Sequence, residues 1–416
     1  MNFLKSRSSL LAKAVLGILI LSMLQTPLQS EAAGYLGTEY ATGDFPIKVT
    51  VADFNGDAHK DVATVNKSSD NITVWLGNGD GTFRDRGTYP TGDFPTAITN
   101  GDFNEDGKVD LAITNQISNT VSILLGVGDG TFAPASSFAA GYGPQSIATA
   151  DFNHDGHADL AVSADLLYVL LGDGHGAFGT PAGFPVGTGP VGVMLGDFNS
   201  DNHIDIATAN FASNNVSVLI GDGLGGFAAR VNYPTTATRL SGGAAGDVDG
   251  DGKIDLVITH ELGGAGKISV LSGNGDGTFK PAVLYDIGGV SSRAVVLGDF
   301  TRDEIVDLAV SEYNGTGALV IVAGAVDGLG NRTFATAAAY NAGGGANDVA
   351  SADFNEDGYL DFALPMPPED KLSIRLAARD IANLQSVALS GGAVLDQAFH
   401  AATMGYTSTV TNAVYS

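Results

Sequence analysis

The 416-residue sequence predicts an all-β fold, a seven-bladed β-propeller of four-stranded antiparallel blades with an acidic loop between strands 1 and 2 of each blade. Three observations predict it. A nine-residue acidic motif occurs seven times, starting at Asp53, Asp102, Asp151, Asp197, Asp247, Asp299 and Asp353, at spacings of 49, 49, 46, 50, 52 and 54 residues. Each interval carries four short strand-like runs, the make-up of a propeller blade rather than of a solenoid turn. A second motif, rich in glycine and closed by phenylalanine, returns in the same register. A parallel β-helix is the competing repeat architecture.

One unit stands for the others. Residues 47–53 (IKVTVAD) form a β-branched strand running into the acidic motif, and residues 61–65 (DVATV) leave it as a second. A polar turn at 66–71 precedes a third strand at 72–77. A glycine-rich turn leads to a fourth at 82–88, and residues 89–95 enter the next unit.

The glycine-rich turn is LGNGDGTF at 76–83, with counterparts at 125–132, 171–178, 220–227, 272–279 and, stretched by insertion, 323–334. Its Asp-Gly and Asn-Gly pairs are hairpin signals, and its closing Phe is expected to pack between blades. Asp80, Asp129 and Asp276 are read as turn residues, with metal ligation as the alternative. The apolar residue after the first Asp of each acidic motif (Phe54, Phe103, Phe152, Phe198, Val248, Phe300, Phe354) is read as packing.

The seventh unit has the acidic motif and a strand-like run at 371–376 but no glycine-rich turn. Residues 34–43 (GYLGTEYATG) match the fourth-strand region in character. The N-terminal strand is therefore expected to complete the last blade, removing two sheet edges. Residues 383–389 are the alternative, and 390–416 fit no repeat. The expected division is a signal peptide at 1–32, a propeller at 33–377 and a tail at 378–416.

The leader is read from Lys5, Arg7 and Lys13 ahead of an apolar run at 14–24 that is short for a membrane span, with small residues Ser30 and Ala32 before the expected cleavage point. An uncleaved anchor is the competing reading. The protein is accordingly expected to be secreted, extracellular or on the cell surface. The absence of cysteine excludes disulfides and thiol catalysis, so something else must hold an exported chain together. Net charge is −26, and −28 without residues 1–32, which carry three bases and one Glu. No basic stripe is present to meet phosphates, so nucleic acid is excluded as a partner.

Oxygen side chains stand at positions 1, 3, 5 and 9 of the acidic motif, and Gly107, Gly156, Gly252 and Gly358 after position 5 allow a positive φ. Hard cations such as Ca²⁺ take six to eight such oxygens. The seven motifs hold 22 aspartates, nearly half of the 46 acidic residues. Carboxylates this close repel unless a cation sits between them. The spacing is like half an EF-hand, but that loop needs Glu at position 12 and flanking helices. Position 12 here is Thr64, Ile113, Val162, Thr208, Ile258, Val310 or Leu364, between strands.

The alternation of DFNxDGxxD with LGxGDGTF over residues 34–377 resembles the FG-GAP or VCBS-type repeat of the seven-bladed integrin α-chain propeller and of many exported bacterial proteins. The resemblance implies a calcium ion in each acidic loop, six or seven in all, held by side chains at positions 1, 3, 5 and 9 and the carbonyl at position 7. In the first loop these are Asp53, Asn55, Asp57, Asp61 and His59; in the second, Asp102, Asn104, Asp106, Asp110 and Lys108. The third has Asp151, Asn153, Asp155, Asp159 and His157, and the fourth Asp197, Asn199, Asp201, Asp205 and His203. The fifth has Asp247, Asp249, Asp251, Asp255 and Lys253, and the seventh Asp353, Asn355, Asp357, Asp361 and Tyr359. The sixth keeps Asp299, Asp303 and Asp307 but has Thr301 at position 3 and Glu304 for the glycine, which weakens it.

Family members often bind partners on the face opposite these loops. Here that face is expected to present 67–71, 116–119, 211–215, Tyr313 and Asn314, with aromatics at Tyr89, Phe94, Tyr142 and Tyr233 serving either as a sugar-stacking platform or as loop packing. Histidines at loop positions 4 and 7 are expected to be solvent-exposed. Only His260-Glu261 breaks the repeat with acid–base groups, and no hydrolase, zinc-protease or nucleotide motif is present. The favoured function is a monomeric calcium-binding module, an adhesion module for an extracellular protein or glycan. The alternative is a polysaccharide-active lyase or hydrolase, which would need several Lys, Arg, Tyr or His groups in one cleft of a face that offers few bases.

Overall fold

The computed structural model describes residues 35–261, 266–289, 291–313, 319–326, 332–335, 337–340 and 344–377. The expected leader and the tail from 378 lie outside them, as does the alternative closing strand. The first described strand, β1 (Tyr35–Ala41), belongs to the last blade. Blade 1 follows as β2 (Pro46–Ala52), β3 (Asp61–Asn66), β4 (Asn71–Gly77) and β5 (Phe83–Pro90), hydrogen-bonded in sequence order as an antiparallel sheet. Six further four-stranded sheets repeat this order, so the described chain is a seven-bladed propeller.

The seventh blade is closed by the N-terminal strand: β1 pairs with Lys371–Ala377 from Tyr35↔Ala377 to Ala41↔Lys371. Lys371 adds an ion pair to Glu39 at 2.6 Å across that seam. A ring closed with strands from both ends leaves no blade with a missing edge.

The strand patterns explain the layering. The second strand of each blade is buried along its whole length, whereas outer strands such as Val231–Pro234 are mostly exposed. Apolar side chains therefore meet between successive blades: Ile47, Phe54, Val65 and Leu76 of blade 1 pack with Leu111, Ile113 and Phe132 of blade 2. Blade 1 differs from blades 2 to 5 beyond the glycine-rich turn. There the closing Phe makes only an isolated bridge, as in Gly126↔Phe132, before a short outer strand begins later. The insertion in unit 6 forms a separate ribbon, Gly324–Val326 against Arg332–Phe334.

Candidate functional site

The acidic loop joins the first and second strands of each blade, so all seven lie on one face. Its last aspartate is an internal clasp. Asp61 is fully buried; its Oδ2 accepts the Phe54 N–H at 2.8 Å and its Oδ1 the Gly77 N–H at 2.8 Å. The same pair of bonds recurs on Asp110, Asp159, Asp205, Asp255, Asp307 and Asp361, tying the loop to the end of the third strand. Burial pushes the carboxyls of Asp61, Asp159 and Asp205 up to about 6 and that of Asp361 to about 7, with neighbouring loop aspartates adding to the rise. Each oxygen keeps a second lone pair for a further partner.

The first aspartate organises the turn. Asp102 Oδ1 accepts the Asp106 N–H at 3.1 Å and its Oδ2 the Gly107 N–H at 2.8 Å. The residue after position 5 is left-handed throughout: Gly107 has φ 77°, and Ala58, Asn202 and Glu304 adopt 71°, 66° and 66°. Glycine is there for the backbone alone, since a Cβ at Gly107, Gly156, Gly252 or Gly358 would meet nothing. In blade 5, Asp247, Asp249 and Asp255 offer oxygens that all lie within 4.8 Å of one another. Carboxylate and amide oxygens gathered this way are a donor set for a hard divalent cation. The residues that could hold one are those at positions 1, 3, 5 and 9.

Adjacent loops are clamped together. The closing Phe of five glycine-rich turns packs edge-on against the Phe of the preceding blade's acidic loop, as in Phe132 on Phe54 (5.6 Å) and Phe178 on Phe103 (5.6 Å), whereas Phe334, facing a loop with Val248, packs on Tyr285. In the same turns, Gly81, Gly130, Gly176, Gly225 and Gly277 donate their N–H to Phe354, Phe54, Phe103, Phe152 and Phe198 carbonyls. Asp80, Asp129 and Asp276 bond the N–H and hydroxyl of the threonine two residues on, the geometry of turn residues.

The loop histidines are not simply exposed. Position 4 of one loop meets position 7 of the next: Glu356 binds His59, Glu105 binds His157, His154 Nε2 lies 2.8 Å from His203 Nδ1, and Arg302 stacks on Tyr359. The glutamates hold His59 and His157 above their ordinary range. Where position 4 is Gly56 or Ser200, Lys108 and Lys253 at position 7 turn back to their own Asp106 and Asp251. Aligning the seven copies would have revealed this belt; reading each loop alone did not.

His260 also proves to be structural. It ends the second strand of blade 5, where blades 1, 2 and 4 have Asn66, Asn115 and Asn210 bonded to a Ser or Thr on the third strand. His260 does the same, with Nε2 2.8 Å from Ser269 Oγ, and is 2% exposed; burial lowers its pKa to about 4. Glu261 beside it pairs with Arg293 at 2.9 Å and Arg239 at 3.6 Å.

On the opposite face, Tyr89 and Tyr233 prove to be packing residues, edge-on to Phe132 (5.4 Å) and Phe279 (5.6 Å), while Tyr142 is 75% exposed. The residue six after the buried aspartate (Lys67, Gln116, Asp165, Phe211, Glu261 or Tyr313) donates its N–H to the preceding inter-blade turn, at Phe45, Phe94, Tyr142, Gly189, Arg239 or Ser291. These side chains ring the end of the propeller axis. Lys67 lies over Phe94 (4.2 Å), Arg239 over Phe211 (4.8 Å) and Arg293 over Tyr313 (4.8 Å). The sequence suggested few bases on this face; folding gathers three of them.

The FG-GAP-like repeat model matches residues 53–113, 102–162, 197–258 and 247–310, more than half of the chain. No curated protein sequence matches it. Among solved structures, the chain is similar to BBS1N in complex with ARL6DN, at 12% identity over 84% of this chain and 97% of that one, TM-score 0.56. It is also similar to streptogramin B lyase (15% identity, 83% and 99% covered, TM-score 0.54). The periplasmic gluconolactonase PpgL of Pseudomonas aeruginosa is a third (16% identity, 71% and 86% covered, TM-score 0.52). At these identities the likeness is one of fold, and the fold serves unrelated functions.

Proposed function

The chain belongs to the FG-GAP-like repeat family, and on that premise we propose an exported propeller whose acidic loops take calcium as a structural staple and whose opposite face is a binding module for an extracellular protein or glycan. The observation that carries the reading is the contrast between the two faces. One repeats the same oxygen-rich loop seven times with the same buried clasp, which suits a structural ion and not a single active site. The other places different residues at equivalent positions.

Calcium would be held by side chains at positions 1, 3, 5 and 9 with a position-7 carbonyl. It would supply the positive charge that three or four clustered aspartates per loop otherwise lack. No helix among the described residues is long and apolar enough to cross a membrane. The expected leader supports export of the rest.

An enzymatic reading draws on the grouping of Lys67, Arg239, Arg293 and Tyr313. A lyase also needs a proton-abstracting group beside such cations. His260 is buried and engaged by Ser269, and Glu261 is taken up by two arginines. The cations suit recognition better than proton transfer.

The test is a screen of glycans and matrix proteins against the mature chain, loaded with calcium or treated with chelator. Retention of a ligand by the loaded protein, without new reducing ends in any polysaccharide, is the expected result. No ligand in either state, or cleavage of a bound polysaccharide, would overturn it.

A further inference from the structure

Three cations and one carboxylate meet where the propeller axis opens on the non-acidic face. Arg293, on the first strand of blade 6, places Nη2 2.9 Å from Glu261 Oε1, while its Nε is buried with no hydrogen-bond partner. Arg239 shares the same glutamate from 3.6 Å. Lys67, half-buried just after the second strand of blade 1, lies over Phe94, and blade 7 separates its blade from that of Arg293 around the ring. Burial first, and the Arg293 charge second, lower its pKa. Among the described residues no carboxylate lies within ion-pair distance of Lys67.

The nearby acids are committed elsewhere. Asp348 pairs with Lys48 at 2.9 Å, Asp70 and Asp370 accept the N–H groups of Phe94 and Phe45, and Glu312 accepts the Ser291 N–H and Ser292 hydroxyl. Asp44 and Asp93 are exposed on the rim. A chain of net charge −26 thus keeps a cationic spot at its axis, with like charges held near one another and a guanidinium N–H unanswered. Asp165, at the equivalent place in blade 3, accepts the Tyr142 N–H and the Tyr168 hydroxyl. Glu261 offsets one of the three cations, which leaves positive charge for an anion to meet.

We propose that this mouth binds the carboxylate or sulfate groups of an acidic polysaccharide, an inference that rests on the binding-module reading of the face. Guanidinium forks match planar or tetrahedral oxyanions. Phe94, Phe211 and Tyr313 flank the cations, and Phe45 (36% exposed) and Tyr142 extend an aromatic rim that sugar rings can lie against. Exposed aromatics beside the charges, Phe45 and Tyr142, favour a saccharide over an acidic protein.

The experiment titrates the calcium-saturated mature chain with hyaluronate (carboxylate), heparin (sulfate and carboxylate) and dextran (neutral) by calorimetry. Binding of at least one acidic polymer, weakening as salt rises, and none of dextran is expected. Lys67→Met and Arg293→Met should each weaken it about tenfold or more, the loss of a charge-assisted contact. Lys280→Met, which removes an exposed charge elsewhere, should leave affinity unchanged. Hyaluronate and heparin resolve which anion is read. Because Lys67 has no ion pair to disturb, its variant carries the test if Arg293→Met fails to fold. Unchanged affinity in Lys67→Met, or equal weakening by Lys280→Met, overturns the inference. If a neutral glycan or a protein binds this face while acidic polymers do not, the inference fails and the binding-module reading stands; if nothing binds, both fail.

Discussion

Removing calcium should destabilise the ring by an amount comparable with a domain's whole stability. The perturbation is exchange into chelator, and the sites are the six intact loops, the sixth copy being weakened by Thr301 and Glu304. Extracellular calcium modules bind with Kd of about 10⁻⁴ to 10⁻³ M. Calcium at about ten times Kd stabilises the folded state by about 1.4 kcal/mol per loop. Six loops in one cooperatively unfolding ring give about 8 kcal/mol, against a typical total of about 5–15 kcal/mol. For the roughly 320 described residues, with an unfolding entropy of about 2.1 cal/mol/K each, the melting temperature moves by about 12 °C. Calorimetric melts across a calcium titration should rise, and above Kd should keep rising with the logarithm of free calcium. Equal melting temperatures in chelator and in millimolar calcium would refute the staple.

Three further outcomes follow from the same geometry. Asp106→Ala should remove one calcium from the bound stoichiometry by metal analysis, whereas Asp303→Ala, in the weakened sixth loop, should remove less; equal losses would count against the ranking of loops. Ala58, held at φ 71°, should be improved by Ala58→Gly by about 1 kcal/mol, read as a higher melting temperature in calcium; no gain means the loop carries no strain there. His260 has a folded pKa of about 4 against 6.5 unfolded, so its contribution is complete above pH 6.5 and is lost as pH falls toward 4, about 3 kcal/mol in all. The buried clasp aspartates, raised to about 6 or 7, titrate in the same window with the opposite sign. The readout is therefore a difference: His260→Asn, the residue of blades 1, 2 and 4, should lose less stability than the unchanged chain as pH falls from 7 to 5, and an identical pH profile in the two would show that His260 does not contribute.

The fold was legible because its devices repeat. The period, the strand-like runs and the closing phenylalanines predicted blades and their packing, and even the strap of the N-terminal strand across the last sheet. What stayed hidden depends on neighbours distant in sequence. The contact of Glu356 with His59 spans nearly the whole ring and exists only once it is closed. His260 looked like an outlier because its equivalence to Asn66, Asn115 and Asn210 is one of place, not of residue type. Arg239 and Arg293 lie in different units and meet only through Glu261.

The two faces of the disc answer to different demands, and the chain itself supplies the comparison. Ring closure requires every blade to present the same edge to the next, and the acidic face meets that demand with an aspartate clasp in all seven blades. If the opposite face served closure alone, its equivalent positions should have converged too. Instead the residue six after the clasp is Lys67, Gln116, Asp165, Phe211, Glu261, Tyr313 and Pro367, seven different side chains. Six of them use the same backbone hydrogen bond, so the scaffold is satisfied whatever the side chain is. Freedom of that kind places a cation beside an aromatic at Lys67–Phe94 and Arg239–Phe211 without disturbing the ring. Clamping the blades from one side is what leaves the turns on the other side free to specialise.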